Sequence, residues 1–147
     1  MKLLSAVFVL LLATGSYSFA QTAPTKNHKV WRVSEAYAVL IKEKAKAKGD
    51  LYEAAYKFEP ETTQVKAAKL RLVLLNREIK KLSRTNARNA AKFSAVYGDL
   101  LLTKIQYEVE LYELRQKFTP EYIAVKKKEI ELASLRSDLN RIIKSLR

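Results

Sequence analysis

Apolar side chains recur at alternating steps of three and four residues along most of the chain, with polar residues between them. This spacing places the apolar side chains on one face of a helix that packs against a neighbouring helix. The pattern occurs in four runs, which are Tyr37 to Phe58, Val65 to Leu82, Tyr97 to Phe118 and Val125 to Leu146. We therefore predict four helices of roughly 23–28 residues each.

The first two runs are partly repeated by the last two at an offset of sixty residues. Between Ser34 and Leu75, fifteen of forty-two positions are identical to the position sixty residues later, without a gap. They are Ser34/Ser94, Tyr37/Tyr97, Leu40/Leu100, Lys44/Lys104, Leu51/Leu111, Tyr52/Tyr112, Glu53/Glu113, Lys57/Lys117, Phe58/Phe118, Pro60/Pro120, Glu61/Glu121, Val65/Val125, Lys66/Lys126, Leu72/Leu132 and Leu75/Leu135. Because the matches include tyrosine, phenylalanine and proline, we interpret the chain as a tandem duplication of one helical unit.

A Phe-x-Pro-Glu segment separates the two helical runs of each unit. Proline lacks an N–H, disfavours helical geometry in the residue before it and fits the first position of a helix. A hairpin with its tip at the proline is one solution, with Thr119 as a candidate N-cap. A long helix kinked at the proline is the other, because the apolar spacing continues through it unbroken. The tip residues are Phe58, Pro60, Glu61, Phe118, Pro120 and Glu121.

The predicted fold is all-α, with two tandem helical hairpins arranged as an antiparallel coiled coil or a four-helix bundle. The alternative is a pair of long helices kinked at Pro60 and Pro120. The helical repeats span 34–87 and 94–147, and a polar linker at 88–93 joins them. Since the third helical run is apolar over more of its circumference, we expect it to lie most centrally or to form a dimer contact.

The first twenty residues have the features of a signal peptide. Lys2 precedes an apolar run from Leu3 to Ala13, and the small residues Ser18 and Ala20 occupy the positions that signal peptidase reads. We expect cleavage after Ala20 and a periplasmic or secreted protein without a membrane span. Residues 21–33 have no apolar stripe and are predicted to form a flexible arm.

The charge is strongly positive, with a formal value of +13 at pH 7. From residue 66 to 92 there are nine basic residues and one acid, Glu78. Most of these cations share one side of the predicted helix and form either a solubilising face or a ridge that binds an anionic envelope polymer. We expect no nucleic-acid ligand, because an exported protein meets little of it. The ridge residues are Lys66, Lys69, Arg77, Lys80, Lys81, Arg84 and Arg88.

Nothing in the sequence indicates catalysis, a metal site or a cofactor. There is no cysteine, and the single histidine, His28, lies in the predicted arm without a companion group. The densest acidic group, Glu108, Glu110 and Glu113, fits surface ion pairing. We therefore predict a non-enzymatic protein that acts by binding a protein partner, by self-association or by binding an envelope component.

Two family resemblances concern the tips. The segment KFTPEYIAVKKKEIELASL resembles the hairpin tip in the coiled-coil region of polysaccharide chain-length determinant proteins, although Tyr122 and Ile123 replace their His-Pro pair. That resemblance implies the structural element alone. The segments FEPET and FTPEY are similar in position to the Leu-Thr-x-x-Gln motifs of Spy-like periplasmic chaperones, without the glutamine. This second resemblance implies transient binding of unfolded clients, so a chaperone or stress protein is the alternative function.

Overall fold

A computed structural model describes residues 34–85, 89 and 92–146. This part of the chain forms four helices and no strand: α1 (Glu35–Lys57), α2 (Thr63–Arg84), α3 (Ala95–Lys117) and α4 (Ile123–Ser145). The predicted signal peptide, the predicted arm and Arg88 lie outside the described residues.

The helices form two hairpins, α1 with α2 and α3 with α4. The helices of each hairpin pack along one another. The prediction of an all-α protein with two tandem hairpins is therefore confirmed, and the kinked-helix alternative is wrong.

Matching serines begin the first helix of each hairpin. The Ser34 hydroxyl accepts a hydrogen bond from the Tyr37 N–H at 3.2 Å, and the Ser94 hydroxyl accepts one from the Tyr97 N–H at 3.4 Å. A serine in this position satisfies a backbone N–H that has no partner inside the helix. The serine matches of the repeat therefore have a local structural cause.

The two prolines lie in turns, not at the first positions of helices as the sequence suggested. In the first turn the Thr62 N–H donates to the Glu59 carbonyl at 3.1 Å, which makes Pro60 the second residue of a β-turn. Proline suits that position because its fixed φ matches the turn. The second turn is closed in the same way, from the Tyr122 N–H to the Thr119 carbonyl at 3.1 Å.

The helix that follows each proline begins three residues later than the proline itself. The N-cap residues are Thr62 and Tyr122, and neither side chain makes a capping hydrogen bond. The prediction of Thr119 as an N-cap is therefore wrong, because Thr119 is the first residue of the turn. Sequence spacing alone did not reveal that a complete β-turn separates the two helices.

The prediction that the third helical run lies centrally is confirmed, since α3 packs on α1, α2 and α4. The starts of α1 and α3 meet, because the Ala95 N–H donates to the Glu35 carboxylate at 2.9 Å and the Ala36 N–H to the Phe93 carbonyl at 3.3 Å. The two helices therefore run in the same direction, while α2 and α4 run antiparallel to α3. Both hairpin tips consequently lie at the same end of the molecule.

The main core lies where α1, α2 and α3 meet. Leu40 of α1, Leu75 of α2 and Ile105 of α3 are almost completely buried in it. A smaller cluster near the second tip joins α3 to α4 through Leu111, Val125 and Leu132, where Val125 and Leu132 belong to the predicted stripe of α4. None of the described helices combines the length and the apolar character needed to cross a membrane.

Gly98 allows α1 and α3 to approach closely. A Cβ atom at this position would lie 2.9 Å from the Cα of Ala36 and 3.0 Å from the Cβ of Val39. Its counterpart in the first repeat, Ala38, is exposed and has no such restriction. The glycine therefore stands where the backbone of one hairpin touches the other.

We predict opposite effects when the two described glycines are replaced by alanine. Gly98→Ala should lower the free energy of unfolding by about 1–2 kcal/mol, because the new methyl group overlaps the α1 backbone. Gly49→Ala should raise it by about 0.5–1 kcal/mol, because Gly49 has open space around it and alanine favours a helix. Urea unfolding followed by circular dichroism measures both, and equal effects would contradict the α1–α3 contact.

Candidate functional site

An open groove lies over α3, between α2 and α4, with a volume of about 540 Å³. Its floor follows α3 from Tyr97 to Glu108, a length of roughly 16 Å at 1.5 Å per helical residue. Phe93 and Leu146 lie at one end of the groove. The volume is within the range of ligand-binding clefts, and the groove is formed only when both hairpins are in place.

One end of the groove is apolar. Leu82 of α2, Leu101 of α3 and Leu139 and Ile143 of α4 line it. Phe93 and Tyr97 lie side by side there, with ring centroids 4.8 Å apart and planes inclined by 31°. Burial, together with the negative charge of Glu78, raises the pKa of Tyr97 to about 12, so its phenol is neutral at physiological pH.

The other end of the groove holds a buried ion-pair network. Lys104 Nζ donates to Glu78 Oε1 at 2.6 Å, and both residues are buried. Lys81 Nζ reaches the same oxygen at 3.2 Å, and Arg77 Nε lies 3.4 Å from it. Since α2 provides Glu78 and α3 provides Lys104, this network joins the two hairpins.

Glu108 is the second carboxylate of the network. It accepts a hydrogen bond from Arg77 of α2 at 2.7 Å and one from Arg136 of α4 at 2.8 Å. Lys104 Nζ also lies 3.4 Å from it. Glu108 therefore connects three helices at the charged end of the groove.

Ion pairing keeps both carboxylates charged despite their burial. Burial raises the pKa of Glu78, but the hydrogen bond from Lys104 and the charges of Lys104 and Lys81 outweigh it, so the pKa lies below its ordinary value. Burial acts on Glu108 in the same way, and the hydrogen bond from Arg136 with the neighbouring cations again lowers its pKa. Both groups are ionised at neutral pH.

The network presents positive charge to solvent. Two carboxylates face four cations, and both carboxylates lie beneath the cations, with side chains 4% and 10% exposed. The outer cations Arg77, Lys81 and Arg136 have side chains between 45% and 62% exposed. An approaching ligand therefore meets guanidinium and ammonium groups before it meets a carboxylate.

The structure places the described residues of the predicted basic ridge in three settings. Arg77 and Lys81 line the groove and take part in the network. Lys66 is paired with Glu61 at 2.8 Å, and the hydrogen bond and charge of that glutamate raise the pKa of Lys66. The remaining described ridge residues, Lys69, Lys80 and Arg84, are exposed on α2.

Two residues of the predicted acidic group of α3, which consists of Glu108, Glu110 and Glu113, form ion pairs. Glu108 belongs to the network, and Glu110 pairs with Lys128 at 2.8 Å. No group of acidic residues or histidine suited to holding a metal ion occurs among the residues that the structure describes. The predicted tip residues Phe58, Pro60 and Glu61, with their counterparts in the second repeat, lie in the two turns, far along the helices from the apolar end of the groove.

Sequence reasoning missed the joint role of Glu78 and Lys104. Both were visible as exceptions to their surroundings: Glu78 is the one acid in a basic segment, and Lys104 is a cation on an apolar stripe. A charged residue on a buried stripe needs an opposite charge nearby. That requirement could have paired them, although the sequence does not show that α2 packs on α3.

The chain matches no known protein family, no curated protein and no solved structure. The interpretation of the groove therefore depends on its own geometry and charge.

Removing one member of the buried pair should destabilise the fold. Lys104→Met leaves Glu78 buried with weaker partners, and we expect the free energy of unfolding to fall by about 2–4 kcal/mol. The double variant Lys104→Met/Glu78→Leu should recover most of that loss, because no unpaired charge remains. Lys44→Met, at the equivalent position of α1, is the control and should change stability by less than about 0.5 kcal/mol. Equal losses at both lysines would contradict the pairing.

Stability should also depend on acid pH through the same carboxylates. Because the pKa values of Glu78 and Glu108 are lower in the folded than in the unfolded protein, they stabilise the fold above the ordinary value of 4.5. This stabilisation is lost as the pH falls through the folded pKa values. Urea unfolding between about pH 5 and pH 3 should show a shallower pH dependence for Glu78→Gln than for the unchanged protein. Parallel curves would contradict this assignment.

Proposed function

We propose that this chain is an exported, non-enzymatic binding protein and that the groove between α2 and α4 is its binding surface. One observation carries the proposal: the groove has an apolar end and a second end where exposed cations cover buried carboxylates. Such a combination suits a ligand with an apolar part at one end and a negatively charged part at the other. The signal-peptide features of the first twenty residues support export.

The ionisable groups of the groove support a binding role over catalysis. Each buried carboxylate accepts hydrogen bonds from at least two cations, and its pKa is lowered. A general acid or base requires a pKa near the working pH, and a carboxylate achieves this when its pKa is raised. The network instead fixes charges that hold the two hairpins together.

We propose that the partner is an acidic helix from another protein, with apolar side chains toward one end and carboxylates toward the other. The floor between Tyr97 and Glu108 matches the length of about three helical turns. The leucine side chains of such a helix would contact Leu101, Leu139 and Ile143, while its carboxylates would face Arg136 and the cations of α2. Helices that place an apolar face in a groove are a common mode of peptide recognition.

Synthetic peptides provide the test. We expect a helical peptide of about 18 residues, with leucines toward one end and glutamates toward the other, to bind the purified protein in a fluorescence anisotropy titration. A peptide with lysine in place of every glutamate should bind at least about tenfold more weakly, because it meets the exposed cations. Affinity for the acidic peptide should fall as salt concentration rises.

Two arginine variants on one helix provide the matched comparison. Arg136→Gln removes a cation from the groove and should weaken binding of the acidic peptide several-fold. Arg141→Gln makes the same change on an exposed side chain of α4 that does not line the groove, and it should leave the affinity unchanged.

Three results would refute the peptide proposal. They are equal binding of both peptides, equal effects of the two arginine variants, or preferential binding of a denatured client with suppression of its aggregation. The last result would support the chaperone alternative.

A further inference from the structure

The exposed large apolar side chains are concentrated at the hairpin tips. The tip end is defined here as residues Tyr52–Phe58 and Phe118–Ile123, which lie at the same end because α1 and α3 run in the same direction. Most of the exposed large apolar side chains of the described residues belong to it. They are Tyr52, Tyr56, Phe58, Phe118, Tyr122 and Ile123, whereas Ile41, Val73, Val96 and Ile130 are spread singly over the helices.

Three of these side chains protrude almost fully into solvent. Tyr52 is 78% exposed, Tyr56 is 85% exposed and Ile123 is 78% exposed. Tyr112, at the position equivalent to Tyr52, is only partly exposed and packs against the main core. The tips therefore present apolar side chains to solvent, at the end of α3 opposite the apolar end of the groove.

The types of residue at the tip end match a lipid–water interface. Tyrosine has an apolar ring and a polar hydroxyl, and it is enriched where membranes meet water. At the second tip the rings of Phe118 and Tyr122 stack with centroids 4.3 Å apart and planes 12° apart, which fixes their position. Exposed side chains of this kind can enter a headgroup layer directly, whereas a protein partner would need matching pockets.

The charges around the second tip favour an anionic surface. Between residues 113 and 127 there are four cations and two carboxylates. At the first tip, Lys57 and Lys66 are paired with Glu53 and Glu61, and Glu59 adds one further carboxylate, so that tip contributes its tyrosines and no excess of positive charge. The overall charge of +13 adds long-range attraction to an anionic bilayer.

We propose that the tip end docks on the surface of an anionic phospholipid bilayer. The side chains of Tyr52, Tyr56 and Ile123 enter the interfacial layer, while Lys117, Lys126 and Lys127 lie at the headgroups. No described helix is suited to crossing the bilayer, so the contact is interfacial. The groove faces away from the tips along α3, and this proposal does not depend on what the groove binds.

Co-sedimentation with vesicles tests the proposal on the full chain. The tip variant carries Tyr52→Ser, Tyr56→Ser and Ile123→Ser. The control variant carries Val73→Ser, Val96→Ser and Ile130→Ser, which are similarly exposed side chains away from the tips. Because all three proteins share the same first 33 residues, any difference between them comes from the substituted positions.

On vesicles of equal parts phosphatidylcholine and phosphatidylglycerol, the tip variant should partition about tenfold more weakly than the unchanged protein, since three exposed apolar side chains are lost. The control variant should bind like the unchanged protein. On vesicles of phosphatidylcholine alone, the unchanged protein should bind more weakly, because the anionic headgroups are missing. Circular dichroism should show equal helix content in all three proteins.

Three results would overturn the proposal. The first is that the unchanged protein binds neither kind of vesicle, which would leave the tips as a surface for a protein. The second is that the tip and control variants lose the same amount of binding. The third is that phosphatidylglycerol makes no difference. None of these results bears on the peptide titration, so the two proposals fail separately.

Discussion

The contact between Lys104 and Glu78 is the constraint on which the rest of the structure depends. A buried ammonium and a buried carboxylate are tolerated only when they meet, so the pair fixes how α2 lies on α3. That placement positions one hairpin against the other. It leaves the groove over α3 open between α2 and α4. The groove and its exposed cations follow from this placement, and the contact between the starts of α1 and α3 gives the tips their common direction.

Much of the fold is readable from the sequence, because helix packing and the repeat leave strong periodic signals. The apolar stripes predict the four helices, and Val65 and Leu75 of the α2 stripe are both buried. The turns are less readable: proline is compatible with the start of a helix and with the second position of a β-turn. Only the hydrogen bonds that close the turns at Glu59 and Thr119 distinguish these structures.

The candidate site is less predictable than the fold, since it is built from three helices that are distant in sequence. Composition correctly shows that α2 is basic, but it does not show that Arg77 and Lys81 face the groove while Lys80 faces solvent. That division depends on the side from which α3 approaches α2. No feature of the sequence marks Arg136 as a site residue, because what distinguishes it is its hydrogen bond to Glu108 in the folded protein.

The two copies of the repeat have diverged at the positions that join the two described hairpins. In the contact between hairpins, Arg77 of α2 meets Glu108 of α3. At the outer faces the equivalent residues are Ser137 of α4 and Lys48 of α1, which cannot form that ion pair. Divergence of the two copies has therefore confined this ion pair to the contact between α2 and α3.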